Sequence, residues 1–278
     1  MQLRFLLIIF PLLLLGACSD PVDEEAKLAE IEKVEPVEDL YNKALDSINA
    51  GDWKSAKKQF EEVERQHPYS VWAKKAQMLN AYANYKNADY EEAVAILNRF
   101  TQLYPGDEQI DYAYYLIALS YYEQITDVGR DQSMTRDALL SLNEVIRRFP
   151  RSDYARDAEL KKDLTIDHLA GKEMEVGRYY VSRKEYLAAT KRFQKVIENY
   201  QGTSHVPEAL HRMVELYLQL GIVEEASNYA AVLGHNYPTS QWYKDSYKLL
   251  ASEGAVAQVS PTIETEATGE DKGWLGLF

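Results

Sequence analysis

A spacing of alanine and proline that recurs in five blocks is the feature that most constrains the fold of this 278-residue chain. The alanine stands at positions 56, 93, 138, 189 and 226, and twelve residues after it come Pro68, Pro105, Pro150, Gln201 and Pro238. Apolar residues lie four positions after each alanine (Phe60, Leu97, Leu142, Phe193, Ala230) and seven after it (Val63, Phe100, Val145, Val196, Leu233). Small residues follow the proline slot by eight positions, at Ala76, Ala113, Ala158, Ala209 and Ser246. A recurrence this regular indicates a repeat protein.

The spacing within each block predicts helices. Residues four and seven apart share one face of an α-helix, and a small residue beside them allows a second helix to approach closely. Proline cannot continue the helix, so the chain turns there. The sequence therefore predicts an all-α region over residues 38–253. The frame resembles the tetratricopeptide repeat, a helix pair of about 34 residues. That resemblance implies a right-handed superhelix of about five tetratricopeptide-like helix pairs with an extended concave surface.

Two blocks are longer than the others, because successive alanines are 37, 45, 51 and 37 residues apart. The first extra segment lies near Gln124–Thr135. The second lies in the long helical stretch from Asp153 to Arg183, where Gly171 and Gly177 are expected to allow a break in the helix.

The amino-terminal residues are typical of a bacterial lipoprotein. Arg4 precedes an apolar stretch of 11 residues, which is too short to span a bilayer as a helix. Leu-Gly-Ala then leads into Cys18, the only cysteine of the chain. The sequence predicts a signal peptide at residues 1–17 and lipidation at Cys18, carrying an S-diacylglycerol and an N-acyl group. A flexible tether is predicted at residues 18–37 and a disordered tail at residues 254–278. Ser19 in place of Asp favours the outer membrane, with the protein facing the periplasm.

Charge and motif content exclude several classes of function. The formal net charge of -13 disfavours nucleic acid, whose binding depends on neutralising phosphates. We find no His-Glu-x-x-His motif, no Gly-x-Ser-x-Gly elbow and no phosphate-binding glycine loop. We therefore expect no enzymatic activity, no metal site and no cofactor apart from the acyl groups on Cys18.

Several segments within the repeats resemble one family of lipoproteins. The most specific are Tyr85-Lys-Asn-Ala-Asp89 and Ile110-Asp-Tyr112, accompanied by Asn98-Arg-Phe100, Arg130-Asp131 and Lys191-Arg192. Together with the lipidation signal and five repeats, they resemble the BamD family, the tetratricopeptide lipoproteins of the outer-membrane β-barrel assembly machinery. The resemblance covers the chain from Cys18 to about Leu250, and not the tail.

The resemblance implies that the first half of the repeats, residues 38–124, binds the carboxy-terminal segments of unfolded outer-membrane proteins. Such segments end in an aromatic residue and have alternating apolar positions. The residues expected to bind them are Tyr82, Tyr85, Asn87, Arg99, Asp111, Tyr112, Tyr114 and Tyr115. Aromatic faces suit apolar side chains, and an arginine suits a carboxylate.

The resemblance further implies that the second half, residues 125–253, docks the POTRA domain of the barrel-forming subunit through Tyr179, Tyr180 and Arg192. Accessory Bam lipoproteins are further expected partners. One alternative stays open at this point, namely another periplasmic repeat adaptor, such as one that coordinates peptidoglycan synthesis with envelope constriction. A lipid-anchored hydrolase is a second rival, but it needs a nucleophile and a base that the sequence does not offer.

Overall fold

A computed structural model describes residues 35–254, and every regular element in this range is an α-helix. The eleven helices of these residues, in chain order, are α1 Val37–Asn49, α2 Trp53–Gln66, α3 Val71–Lys86, α4 Tyr90–Leu103, α5 Ile110–Tyr122, α6 Ser133–Arg148, α7 Asp153–Ser182, α8 Tyr186–Asn199, α9 Val206–Gln219, α10 Val223–Asn236 and α11 Gln241–Ser252. The predicted all-α fold is confirmed.

The helices stack as five pairs, α1–α2 to α9–α10, followed by the single helix α11. Each helix packs on its neighbour in the chain, and α1, α3, α5 and α7 also contact one another in succession. Every frame alanine lies in the second helix of a pair, and every later small residue lies in the first helix of the next pair or in α11. All ten of these residues are completely buried. The repeat frame therefore marks the helix crossings, as the sequence predicted.

The ends of the second helices repeat one geometry. Each is capped by the residue before the proline slot, whose backbone N–H donates to the carbonyl four residues back, as from Tyr104 to Phe100 at 2.8 Å. The next helix begins after a short loop. In three of these loops the residue before the helix is a serine, and its hydroxyl accepts a hydrogen bond from a backbone N–H near the start of that helix. These serines are Ser70, Ser152 and Ser240. Turn chemistry and packing thus agree on where each pair ends.

The two longer blocks differ in how they use the extra residues. The first forms the predicted segment between α5 and α6, from Glu123 to Gln132. The expected helix break in the second is wrong, because α7 runs without interruption for 30 residues. Gly177 serves packing instead, since a Cβ there would lie only 2.7 Å from Cζ of the buried Phe193 ring and closer still to its Cε1. The glycine lets α7 approach α8 closely.

The predicted signal peptide, Cys18, nearly all of the tether and the tail beyond Gly254 lie outside the described residues. Between residues 35 and 254, none of the helices combines the length and apolar character that crossing a bilayer would require.

Candidate functional site

A cavity of about 1000 Å³ lies along the first helices of the early pairs. We call it the tyrosine cavity. Tyr41 of α1, Tyr82 of α3, Tyr112 of α5 and Tyr154 of α7 line it, together with Lys74, Lys75, Met78, Leu79 and residues 106–109 of the α4–α5 turn. Tyr82 follows Met78 by four residues and Leu79 by three, so one face of α3 supplies much of the wall. The cavity is therefore built by the helices that the repeat frame places on one side of the stack.

Tyr154 joins the tyrosines of α5 into one cluster. Its ring stacks on Tyr115 at a centroid distance of 5.0 Å and an interplanar angle of 22°, and it lies 5.3 Å from the ring of Tyr112. The Tyr115 hydroxyl donates a hydrogen bond to Asp157, one turn further along α7. Tyr85 donates to Glu123 at 3.3 Å and meets Tyr90 edge-on. These contacts fix the orientation of the aromatic faces before any ligand arrives.

Burial favours the neutral hydroxyl, and so raises the pKa, of three of these tyrosines. Burial raises the pKa of Tyr85 to about 12, helped by the nearby Glu123 carboxylate. Burial also raises the pKa of Tyr112, with smaller contributions from Tyr82, Tyr154 and Tyr85. The pKa of Tyr115 is raised by burial first and then by its hydrogen bond to Asp157. These three residues therefore offer neutral hydroxyl groups rather than phenolates.

Two lysines supply the positive charge at the cavity. Lys74 pairs with Asp107 at 2.5 Å and lies 6.0 Å from the centroid of the Tyr104 ring. Lys75 is exposed, and its ammonium lies 5.3 Å from the centroid of the Trp72 ring. Arg99 was the residue predicted to bind a carboxylate, but Lys74 and Lys75 line the cavity and Arg99 does not. Their helical spacing from Met78, Leu79 and Tyr82 is the signal that was available in the sequence.

Of the predicted peptide-binding residues, only Tyr82 and Tyr112 line the tyrosine cavity. Tyr85 and Tyr115 belong to the adjoining aromatic cluster, and the other four have different partners. Arg99 of α4 pairs with Glu64 of α2 at 2.8 Å, so it joins two second helices. Tyr114 packs against Phe149, with the Arg148 guanidinium 4.9 Å from its ring centroid, next to a separate cavity of about 270 Å³.

The remaining two stabilise turns. Asn87 donates to Asp89 at 2.8 Å in the α3–α4 turn, and Asp89 also pairs with Lys57. Asp111 accepts a hydrogen bond of 2.6 Å from the hydroxyl of Ser152, the residue that caps α7. The structure thus brings Tyr82, Tyr85, Tyr112 and Tyr115 together, whereas the side chains of Tyr114, Asn87, Arg99 and Asp111 have other partners. A peptide-binding role stays a prediction for all eight.

A buried carboxylate holds Arg192, one of the three predicted docking residues. Glu173 of α7 accepts from Arg192 at 3.0 Å and from Lys195 at 2.6 Å, both on α8. Burial alone would raise the pKa of Glu173, but the two cationic donors outweigh it and hold the pKa below its ordinary value. Tyr180 lies beside Arg192 at a small cavity of about 180 Å³. We call these four residues, with the adjacent exposed Tyr179, the arginine cluster.

Similarity to known proteins shows which family the chain belongs to. The YfiO family of outer membrane lipoproteins matches residues 33–233. A relative from Caulobacter vibrioides, "Outer membrane protein assembly factor BamD", is 49% identical over 226 residues, covering 81% of this chain and 74% of the relative. Relatives with the same name from Rickettsia prowazekii and Neisseria meningitidis are 45% and 34% identical, covering 86% and 85% of this chain and 92% of each relative. The chain belongs to the BamD family. The resemblance inferred from the sequence is confirmed.

Solved structures add only weak likenesses to this BamD-family chain. A thermophilic tetratricopeptide protein of Thermus thermophilus has a TM-score of 0.36 at 19% identity, covering 78% of this chain and 98% of that one. The tetratricopeptide domain of P58(IPK) has a TM-score of 0.39 at 15% identity, covering 86% and 61%.

Two further residues of this BamD-family chain have positions that the sequence did not predict. Tyr154 was not predicted as a binding residue, although it bridges Tyr112 and Tyr115. Glu173 was not singled out, because its partners lie 19 and 22 residues further along the chain. Across residues 35–254, no group of three or more His, Cys, Asp and Glu side chains is placed to hold a metal ion.

Proposed function

We propose that this chain is a lipid-anchored scaffold at the periplasmic face of the outer membrane, which receives unfolded β-barrel proteins and docks the barrel-forming subunit that inserts them. As a member of the BamD family it is an outer membrane protein assembly factor. That membership favours assembly over the coordination of peptidoglycan synthesis. We propose a role without catalysis, in which the only attached groups are the acyl chains on Cys18.

The tyrosine cavity is the observation that carries the proposed substrate binding. Aromatic rings provide large apolar contact area together with a polar hydroxyl, which suits a peptide that alternates apolar and polar side chains. The preformed stacking of Tyr154 on Tyr115 reduces the ordering cost of binding. The exposed ammonium of Lys75 matches a carboxylate in charge. A carboxy-terminal segment ending in an aromatic residue combines the features that this surface complements.

Peptide binding by single-residue variants tests this assignment. We expect Tyr82→Ala to weaken binding of a fluorescent peptide with alternating apolar residues and a terminal Phe by at least about tenfold, since loss of an aromatic anchor typically costs about 2 kcal/mol. Lys75→Glu should weaken binding and reverse its salt dependence. Fluorescence anisotropy gives the affinities, and circular dichroism checks that each variant keeps its helices.

Tyr114→Ala is the matched control, because Tyr114 is also a tyrosine of the early repeats but packs on Phe149 away from the cavity. Equal losses of affinity in Tyr82→Ala and Tyr114→Ala would reject the tyrosine cavity as the binding surface.

The arginine cluster supports the proposed docking of the POTRA domain. Glu173 holds Arg192 and Lys195 side by side, while Lys191 next to them is exposed. In a chain with a formal net charge of -13, this is a local concentration of positive charge. Arginine can bind a second carboxylate while keeping its first, because its guanidinium has five donors. We propose an acidic patch on the POTRA domain as the partner surface, with the accessory Bam lipoproteins binding elsewhere.

A further inference from the structure

The first described residues are fixed to the end of the first helix pair. The backbone N–H of Glu35 donates to the side-chain oxygen of Gln66 at 2.9 Å, and Nε2 of His67 donates to the carbonyl of Glu35 at 2.7 Å. His67 occupies the slot that holds Tyr or Phe in the other four repeats. A histidine at this slot has an imidazole N–H, which a Phe lacks, and here that N–H donates to the backbone of Glu35. The chain therefore enters the fold beside the α2–α3 turn.

The α2–α3 turn carries two apolar side chains that contact almost nothing. Tyr69 is 101% exposed and Val71 is 74% exposed. The turn that presents them is held by hydrogen bonds, since the Ser70 hydroxyl donates to the carbonyl of His67 at 2.9 Å and accepts from the N–H of Ala73 at 3.0 Å. We call Tyr69 and Val71 the turn patch.

The other repeats do not use apolar residues at these two positions. The residues at the Tyr69 position are Gly106, Arg151, Gly202 and Thr239, and those at the Val71 position are Glu108, Asp153, Ser204 and Gln241. The frame itself therefore does not require an apolar side chain at either place. The exception occurs only at the turn where the chain enters the fold, which points to a surface met at that end of the molecule.

We propose that the turn patch contacts the phospholipid surface of the membrane that anchors the chain. This inference rests on the proposed lipidation of Cys18. Seventeen residue steps separate Cys18 from Glu35, so the entry point lies at most about 60 Å from the acyl chains. Tyr is favoured at the boundary between lipid headgroups and hydrocarbon, and Val adds apolar area. Lys75, one helical turn after Val71 on the same face, is exposed and has the charge that attracts lipid phosphates.

The anchor and the turn patch act together. Two apolar side chains bind a bilayer weakly alone, but a tether of this length keeps them close to it and makes the second contact intramolecular. The result is a preferred orientation, with the α2–α3 turn toward the lipid and the later repeats away from it.

A fluorescent label at the turn tests the contact. Cys18 is the only cysteine, and lipidation consumes its thiol, so Tyr69→Cys in the processed full-length protein offers one reactive thiol. We label it with nitrobenzoxadiazole and reconstitute the protein into vesicles of phosphatidylethanolamine and phosphatidylglycerol. Leu187→Cys is the matched control, because Leu187 of α8 is 72% exposed in the later repeats. The expected result is a blue shift and quenching by spin-labelled lipid at position 69, with neither change at position 187.

Each other result overturns the proposal in a recognisable way. Protein that floats with the vesicles but shows an unchanged spectrum at position 69 has a working anchor and no turn contact. A label at 69 that responds only in native membranes, and not in pure lipid vesicles, shows that a protein covers the turn patch. If mass spectrometry shows no acylation and the protein does not float with the vesicles, the proposed lipid anchor at Cys18 is wrong. The proposed contact of the turn patch with lipid then fails with it.

Discussion

Replacing Gly177 with alanine is the sharpest test of how α7 packs. A Cβ at this position would lie 2.7 and 2.9 Å from Cζ and Cδ1 of Phe193, and closer still to Cε1. Phe193 is completely buried, among the largest side chains of the later core. Because the ring is fully buried, relieving these contacts requires the ring or one of the two helices to shift.

Two opposing effects set the size of the change. Alanine in place of glycine inside a helix gains about 1 kcal/mol. Forcing an extra carbon into a well-packed core costs about 1–3 kcal/mol, and three contacts below 3.0 Å on one buried ring place this site at the upper end. We expect a net loss of about 1–2 kcal/mol in the free energy of unfolding. For a region of this size, that lowers the melting temperature by about 2–8 °C.

Gly171→Ala is the control within the same helix. Its Cβ would lie 3.2 Å from Nε2 of His205, the end of a partly exposed side chain that can move aside. We therefore expect Gly171→Ala to leave the melting temperature unchanged or raise it slightly. Thermal melts followed by far-ultraviolet circular dichroism compare the two variants. If Gly177→Ala melts at or above the temperature of Gly171→Ala, the close approach of α7 and α8 at Phe193 is wrong.

Two further predictions concern charge. Arg192→Glu should reduce recovery of the barrel-forming subunit in a mild-detergent pull-down, whereas Arg99→Glu should not, although Arg99 is also paired with a glutamate; equal recovery with both variants would contradict docking at the arginine cluster. The free energy of unfolding should also fall as pH rises from about 10 through about 12. The raised pKa of Tyr85 means that the folded state favours the neutral hydroxyl. The stabilisation from this preference is complete below the unfolded pKa of 10.0 and is lost as pH rises through the folded pKa. Urea unfolding at a series of pH values measures the decline, which should be shallower in Tyr85→Phe; an identical slope in the variant would refute the contribution.

The repeat frame predicted the core because burial at a helix crossing depends on residues close together in sequence. Ala56, Phe60 and Val63 lie on one helix and are all completely buried. The cavity was harder to predict, since lining residues are selected by small rotations around a helix. Tyr112 and Tyr114 are two residues apart, a rotation of about 200°, so only Tyr112 lines the tyrosine cavity. The ion pairs of Arg99 and Arg192 join different helices, and no local pattern in the sequence indicates such partners.

The unbroken helix α7 changes how the two predicted halves of the repeat region relate to one another. Tyr154, in its first turn, lines the tyrosine cavity, although it lies beyond the predicted boundary at residue 124. Glu173, nineteen residues later on the same helix and therefore about 29 Å away, holds the arginine cluster. The extra segment between α5 and α6 supports the helix between these points, because Lys172 donates to the carbonyl of Gly129 at 3.0 Å. A break at Gly171 would have placed a hinge between cavity and cluster. A continuous helix instead fixes their separation.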